Sequence, residues 1–169
     1  AHQTIADIEA WPMERKLEHL DYMRHTIQSS WEFVRYIFSI SEVSRVFTHQ
    51  LVRTRSQSYA QESQRTIDAS KNNYFWLANA DYIDACEFSF SAYNHMQKIG
   101  MSNQNARYVL PEGTLTSVIV GTDLRTLSNT AETRLCTRTQ GEYQDVFRAM
   151  RQAVIDVHPW AEPFIEVAC

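Results

Sequence analysis

Glycine and proline are scarce in this chain, with four of each in 169 residues. Such sparse punctuation leaves no linker, repeat or low-complexity tract. The length fits one domain with a real hydrophobic core, so the expectation is a single domain over residues 1–169. Cysteine is limited too. Cys86, Cys136 and Cys169 form an odd set without C-x-x-C spacing, which supports neither a disulfide framework nor a cysteine zinc site. They are read as reduced thiols in a cytoplasmic protein. His2, His19, His25, His49, His95 and His158 include no i,i+4 pair, so no metal is expected. No stretch approaches the roughly 18 uninterrupted apolar residues of a spanning helix, and the first residues given show no long apolar run, so export is not expected. No membrane association is expected. Positive charge is short as well: the formal net charge is -4, which argues against a general nucleic-acid binder.

What is present alternates helices with a few strands. Met13 to His25 has amphipathic helical spacing, and Phe33 to Ile40 is rich in aromatic and β-branched residues, as a strand is. Ser41 then caps a helix with Glu42 in its first turn, and Val43, Val46, Phe47 and Leu51 share one face. Tyr74 to Gln97 reads as a long helix stopped by Gly100, and Ser102 caps a short one. Its aromatic run, Tyr74, Phe75, Trp76, Tyr82, Phe88, Phe90 and Tyr93, is read as core or subunit contact. Thr114 to Thr122 is the second clear strand, Asp123 caps a helix through Leu127, and Gly141 to Val157 is the final helix before Pro159. Strands mixed with long helices in no βαβ rhythm predict an α+β fold, helices around a small sheet.

Within this acidic chain, residues 44–65 hold Arg45, Arg53, Arg55 and Arg65 against one acid, Glu62. Arginine offers a planar fork of donors to phosphate oxygens, and interleaved Ser and Gln add neutral donors. The alternative is a solvated basic face. Ser63 could also be a nucleophile, but no base stands paired with it in the sequence, so it is read as a phosphate donor.

Arg53-Thr54-Arg55-Ser56-Gln57-Ser58-Tyr59-Ala60-Gln61-Glu62-Ser63-Gln64-Arg65 resembles the signature of flavin-dependent thymidylate synthases: Arg-His-Arg, two residues, Ser, four residues, Ser, one residue, Arg. Only the central His is missing. Upstream, Tyr36 to Arg45 looks like the strand and helix that feed the motif, with Glu32 at the usual acidic position. Downstream, Ala106-Arg107-Tyr108-Val109-Leu110-Pro111 is similar to Ala-Arg-x-x-Leu-Pro. Asp123-Leu124-Arg125 stands where His- or Asn-x-Arg belongs, and Leu127, Asn129, Arg134 and Gln140-Gly141-Glu142 follow in order. The resemblance covers roughly residues 25 to 165.

The resemblance implies FAD-dependent reductive methylation of deoxyuridine monophosphate (dUMP) to dTMP. Methylenetetrahydrofolate would give the carbon and NADPH the reducing equivalents. Gln50, Arg53, Gln61, Ser63, Gln64, Arg65, Arg107 and Arg134 would bind dUMP, with Ser63, Arg65 and Arg107 at the phosphate. Arg134 would be catalytic, a fixed cation favouring the N3-deprotonated uracil whose carbon 5 is electron-rich. Ser29, Arg53, Thr54, Arg55, Gln61, Arg125 and Asn129 would hold FAD. No G-x-G-x-x-G follows a strand, so this is not a Rossmann mode. A homotetramer with sites at subunit interfaces is expected, in the cytoplasm or, for a viral protein, the host cytoplasm.

The departures from the pattern fall mainly on the flavin side. Thr54 replaces a His, Asp123 replaces His or Asn, and Phe33 replaces the His after Glu32, leaving His25 as the nearest upstream histidine. Thr54 keeps a hydroxyl but loses a group able to carry charge. Asp123 is read either as an anion near the flavin or as a helix N-cap without ligand contact. Two alternatives follow: a related enzyme making another C5 product, such as a hydroxymethylated pyrimidine, and a nucleotide-binding paralogue that has lost catalysis.

Overall fold

The computed structural model describes residues 3–71 and 73–167; His2 and Cys169 lie outside them. In chain order the α-helices are α1 (Ile5–Glu9), α2 (Met13–Thr26), α3 (Arg45–Leu51), α4 (Ala80–Lys98), α5 (Asn103–Ala106), α6 (Leu124–Arg134) and α7 (Gly141–Val157). The strands are β1 (Arg35–Ser44), β2 (Ser58–Gln61) and β3 (Leu115–Asp123). They form one small sheet in the order β1-β3-β2. Helices with a small sheet make the α+β architecture expected from the sequence. No helix among the described residues is long and apolar enough to cross a membrane. Two compact units divide the chain: one holds the residues up to Tyr36 with those from Thr122 onward, the other Ile37–Gly121.

In the first unit, Phe147, Met150 and Val154 recur at helical spacing on α7 and are buried, as are Leu124, Leu127 and Ala131 on α6. Such i, i+3, i+7 recurrence puts one apolar stripe per helix toward a shared core. Trp31, in the 3-10 segment Gln28–Phe33, meets Phe164 edge-on at 4.4 Å between ring centroids. α2 starts where expected and runs one residue past His25, to Thr26, but buries none of its residues. Phe33 belongs to the 3-10 segment rather than a strand, and is exposed.

In the second unit, β2 pairs antiparallel with β3 from Ser58 opposite Gly121 to Gln61 opposite Val118. Thr116, Val118 and Val120 point inward while Ser117 and Ile119 face out, the period-2 pattern of a half-buried strand. β1 keeps that alternation only to Ile40. Ser41 and Glu42 are both exposed, Val43 and Ser44 are both buried, and Glu42 sits at φ 58°. The extra residue and left-handed turn act like a bulge that re-aims the chain. The strand therefore runs past the expected helix start, and Ser44, not Ser41, caps α3 by accepting the Phe47 N–H at 3.0 Å.

Two other expectations change. α4 starts at Ala80, capped by Asn79, rather than at Tyr74, because Tyr74 bridges Thr114 as an extra strand residue. A Cβ added at Gly113, beside that bridge, would lie 2.2 Å from the Tyr82 hydroxyl, so a side chain there would have to displace the end of that ring. Of the aromatic run only Tyr93 is buried, and Phe88 and Trp76 are well exposed. Gly100, at φ 90°, ends α4 as expected. α6 continues to Arg134 instead of stopping at Leu127.

Candidate functional site

The arginine motif begins where α3 runs out. The Arg53 N–H donates to the Gln50 carbonyl at 3.2 Å and Thr54 N–H to Leu51 at 3.1 Å, turning the chain toward β2. The Tyr59 hydroxyl lies 2.8 Å from the Leu51 carbonyl and 2.7 Å from that of Thr54. Its single proton serves one carbonyl at a time, and the phenol pins the Arg53–Arg55 turn to β2. Past β2, the Glu62 N–H donates to the Ser117 carbonyl and its carboxylate accepts the Ser117 N–H at 3.3 Å. Ser63 then opens a turn, its Oγ accepting the Arg65 N–H at 3.3 Å.

A cleft of about 440 Å³ lies within this unit. Gln61, Gln64 and Arg107, each expected at the nucleotide, line it together with Arg45 and Thr48. The Gln61 side-chain amide donates to Thr48 Oγ1 at 2.8 Å, and Thr48 Oγ1 donates to the Arg45 carbonyl at 3.2 Å, which fixes that wall. Arg45 is half-buried. One Nη donates to the Glu62 carbonyl at 3.2 Å, while Nε is enclosed without a partner; an unmet buried donor costs about 1–3 kcal/mol. Burial lowers the Arg45 pKa, Glu62 and Glu112 push it back up, and the neighbouring Arg107 charge lowers it. The N–H groups of Arg45 and Val46 donate to the Thr114 and Glu112 carbonyls, so the start of α3 has few free donors. The cleft's positive character comes from side chains.

Gln50, Arg53, Thr54, Arg55, Ser63 and Arg65 lie outside the walls of this cleft; Arg53, Arg55, Ser63 and Arg65 are exposed. Among the described residues, none of Arg45, Arg53, Arg55, Arg65 and Arg107 has a carboxylate within 4.0 Å. Arg45 and Thr48 were missed as site residues by the sequence reading. The available signal was the position of Arg45 at the head of the basic stretch.

In the first unit, Arg125 and Asn129 line a second cleft, about 280 Å³, with Arg24 and Ser128. Arg125 is ion-paired with Glu32. Ser29 is exposed in the 3-10 segment and is not among the cleft's lining residues. Asp123 is buried and caps α6: one carboxylate oxygen accepts the Thr126 N–H at 2.8 Å and the other its hydroxyl at 3.1 Å. The helix end stabilises that charge. Arg134, last residue of α6, stacks its guanidinium 4.3 Å from the centre of the Tyr143 ring, a cation–π contact that orients the fork.

The sequence model of "Thymidylate synthase complementing protein", Thy1, matches residues 4–160. Flavin-dependent thymidylate synthases of Saccharolobus solfataricus and Clostridium tetani are similar to this chain. The first is 36% identical over 168 residues, covering 92% of this chain and 60% of its own length. The second is 34% identical over 161 residues, covering 81% and 65%. This chain spans about three fifths of the length of the archaeal relatives. A crystal structure of flavin-dependent thymidylate synthase ThyX from Helicobacter pylori, complexed with FAD and dUMP, shares the fold. Its TM-score is 0.78 at 18% identity, covering 88% of this chain and 84% of that one. With its motif order intact and the family model matched over nearly its whole length, the chain belongs to the Thy1 family, that of the flavin-dependent thymidylate synthases.

Proposed function

We propose that this protein methylates dUMP to dTMP reductively, with FAD as cofactor, methylenetetrahydrofolate as carbon donor and NADPH as reductant. The observation that carries this reading is the set of five arginines in the second unit without a carboxylate partner. Unpaired arginines beside Gln61 and Gln64 are suited to a phosphate with a polar base attached. In this reading Arg107, Ser63 and Arg65 take the phosphate, and Gln50, Arg53, Gln61 and Gln64 orient the sugar and base. Arg134 lies against the uracil, where its charge lowers the cost of losing the N3 proton and enriches carbon 5. Its stacking on Tyr143 supports a fixed, preorganised fork.

The donors present fit a flavin dinucleotide. Arg125 and Asn129 offer hydrogen bonds in one cleft, and Arg53, Thr54, Arg55, Gln61 and Ser29 would complete the set. The Asp123 carboxylate is engaged by Thr126 and the start of α6, so its charge is compensated within the protein. The flavin, when bound, would supply hydride transfer. A cleft of 280 Å³ is small for a dinucleotide. Copies of the chain in a homotetramer would supply further walls, and exposed Phe88 and Tyr108, 76% and 82% accessible, offer contact faces.

Incubation of the protein with dUMP, methylenetetrahydrofolate, FAD and NADPH, with the product identified by mass, tests the reading. The expected product is dTMP. A hydroxymethylated nucleotide would point instead to the related C5 chemistry that Thr54 motivates. Purified protein that takes up no flavin and gives no product would place it with paralogues that have lost catalysis.

A further inference from the structure

We infer that Gln144 is a positioning residue for Arg134: the first turn of α7 holds that arginine at both ends, its backbone through Gln144 and its fork through Tyr143. The inference rests on the reading of Arg134 against the uracil and deepens it.

Helix α6 ends without a residue of its own to close it. Leu135, directly after Arg134, is still helical at φ -82° and ψ -10°. Among the described residues only Glu42 and Gly100 take a positive φ, so the left-handed residue that commonly ends a helix is absent here. The carbonyls of the last turn therefore need donors from elsewhere. Gln144, buried on α7, supplies them: its Nε2 donates to the Leu135 and Cys136 carbonyls, both at 2.9 Å. An amide nitrogen has two N–H bonds, and both are spent here. Thr139 closes the same turn, its N–H donating to the Cys136 carbonyl at 3.0 Å and its hydroxyl to that of Thr133 at 2.7 Å. The bonds bracket Arg134 in the sequence.

Gln144 follows Tyr143, whose buried ring lies under the Arg134 guanidinium at 4.3 Å. Two adjacent residues of α7 thus fix the root and the tip of one side chain. A glycine, or water, could close α6 without any tie to α7. What the tie adds is placement. A cation gives most to a charge developing at one atom when it is already aimed there, and a misplacement of about 1 Å can cost on the order of a hundredfold in rate. Because negative charge grows on the ring only as N3 loses its proton, losing the tie should show in turnover and in N3 acidity more than in affinity.

Gln144→Met in the full chain, alone and combined with Arg134→Lys, tests this. Steady-state kinetics of the FAD-loaded protein are read beside a dUMP binding isotherm and an NMR pH titration of bound dUMP labelled with nitrogen-15 at N3. Gln144→Met, which keeps the volume but loses both donors, should lower kcat at least about tenfold with dUMP affinity within about threefold. N3 of the bound nucleotide should titrate at a higher pH than in the wild-type complex, since a less fixed cation stabilises its anion less. Added to Arg134→Lys, Gln144→Met should lower kcat little further, because it acts through the fork already removed. Gln144→Asn, whose amide is one carbon short, should show the same pattern to a smaller degree and serves if the Met variant does not fold. Unchanged kcat and N3 titration in these variants overturn the inference and leave the reading of Arg134 standing. So does a loss of kcat that adds in full to that of Arg134→Lys, which would make Gln144 a structural cap alone. If N3 titrates no lower in the wild-type complex than in free dUMP, or the wild-type protein binds no dUMP, the reading of Arg134 fails and the inference with it.

Discussion

The arginines of the two units are treated differently. In the first unit Arg24, Arg125, Arg148 and Arg151 have carboxylate partners, and Arg15 and Arg134 lie over the rings of Trp11 and Tyr143. In the second, none of the five has a carboxylate within 4.0 Å among the described residues. The first unit matches most of its arginines internally, Arg35 and Arg138 excepted, whereas the second keeps all five for something brought from outside. Charge left unmatched in an acidic protein is thus a better guide to the ligand than the amount of charge.

The largest effects should come from removing that unmatched charge. Arg107→Ala or Arg65→Ala should weaken dUMP by roughly ten- to a hundredfold, since a charged phosphate hydrogen bond is worth about 1.5–3 kcal/mol. Calorimetry showing wild-type affinity in both variants would break the comparison. Next comes Arg134, matched only by a ring. Arg134→Lys keeps the charge and loses the planar fork, so turnover should fall at least about tenfold, on the order of 1.4 kcal/mol, with dUMP affinity changed much less. Steady-state kinetics beside a binding isotherm check it; poor binding with normal saturated turnover would make Arg134 an anchor only.

Smaller effects should follow where groups are already satisfied. Asp123→Ala removes the α6 cap and should cost about 1 kcal/mol of stability. Asp123→Asn, which can still cap, should cost little, and denaturant titration separates the two. If Asn is as harmful as Ala, the charge matters beyond the cap. Glu32→Gln breaks an exposed ion pair with Arg125 and should change stability by less than about 1 kcal/mol.

The smallest effect belongs to Asp68, which has its partners nearby. Hydrogen bonds from the Ser70 backbone and side chain, then from Gln97, hold its carboxyl below the usual range. A depressed folded pKa gives stability that is present above the unfolded value of about 3.9 and lost as pH falls through the folded one. Asp68→Asn should therefore cost a little stability at neutral pH and less in acid, slightly flattening the acid limb of melting temperature against pH. A larger loss in acid than at neutral pH would contradict the sign.

Much of this was legible in the sequence where the signal is local. α7 was read with its observed bounds because Phe147, Met150 and Val154 repeat at helical spacing up to the stop before Pro159. Thr114–Thr122 was read to within one residue of β3 because its β-branched run is bounded by Gly113 and Asp123. What failed depends on distant partners. Ser41 and Ser44 are equally good caps in isolation, and only the positive φ of Glu42 decides between them. β2, Ser58-Tyr-Ala-Gln, has little strand character of its own and exists because β3 pairs with it. Tyr74 left the helix for Thr114, some forty residues on. Arg45 could not be told from its neighbours, because what marks it is an enclosed Nε and the nearness of Arg107.

The most direct test of the central claim is chemical. An arginine-selective dicarbonyl reagent applied to the full chain with and without dUMP, with each modified arginine mapped by mass spectrometry, reads both units at once. Bound dUMP is predicted to protect Arg107, Arg65 and Arg45 while leaving Arg24, Arg148 and Arg151 as reactive as before. Equal reactivity of the second unit's arginines with and without dUMP, or protection confined to those already paired in the first, would contradict the account.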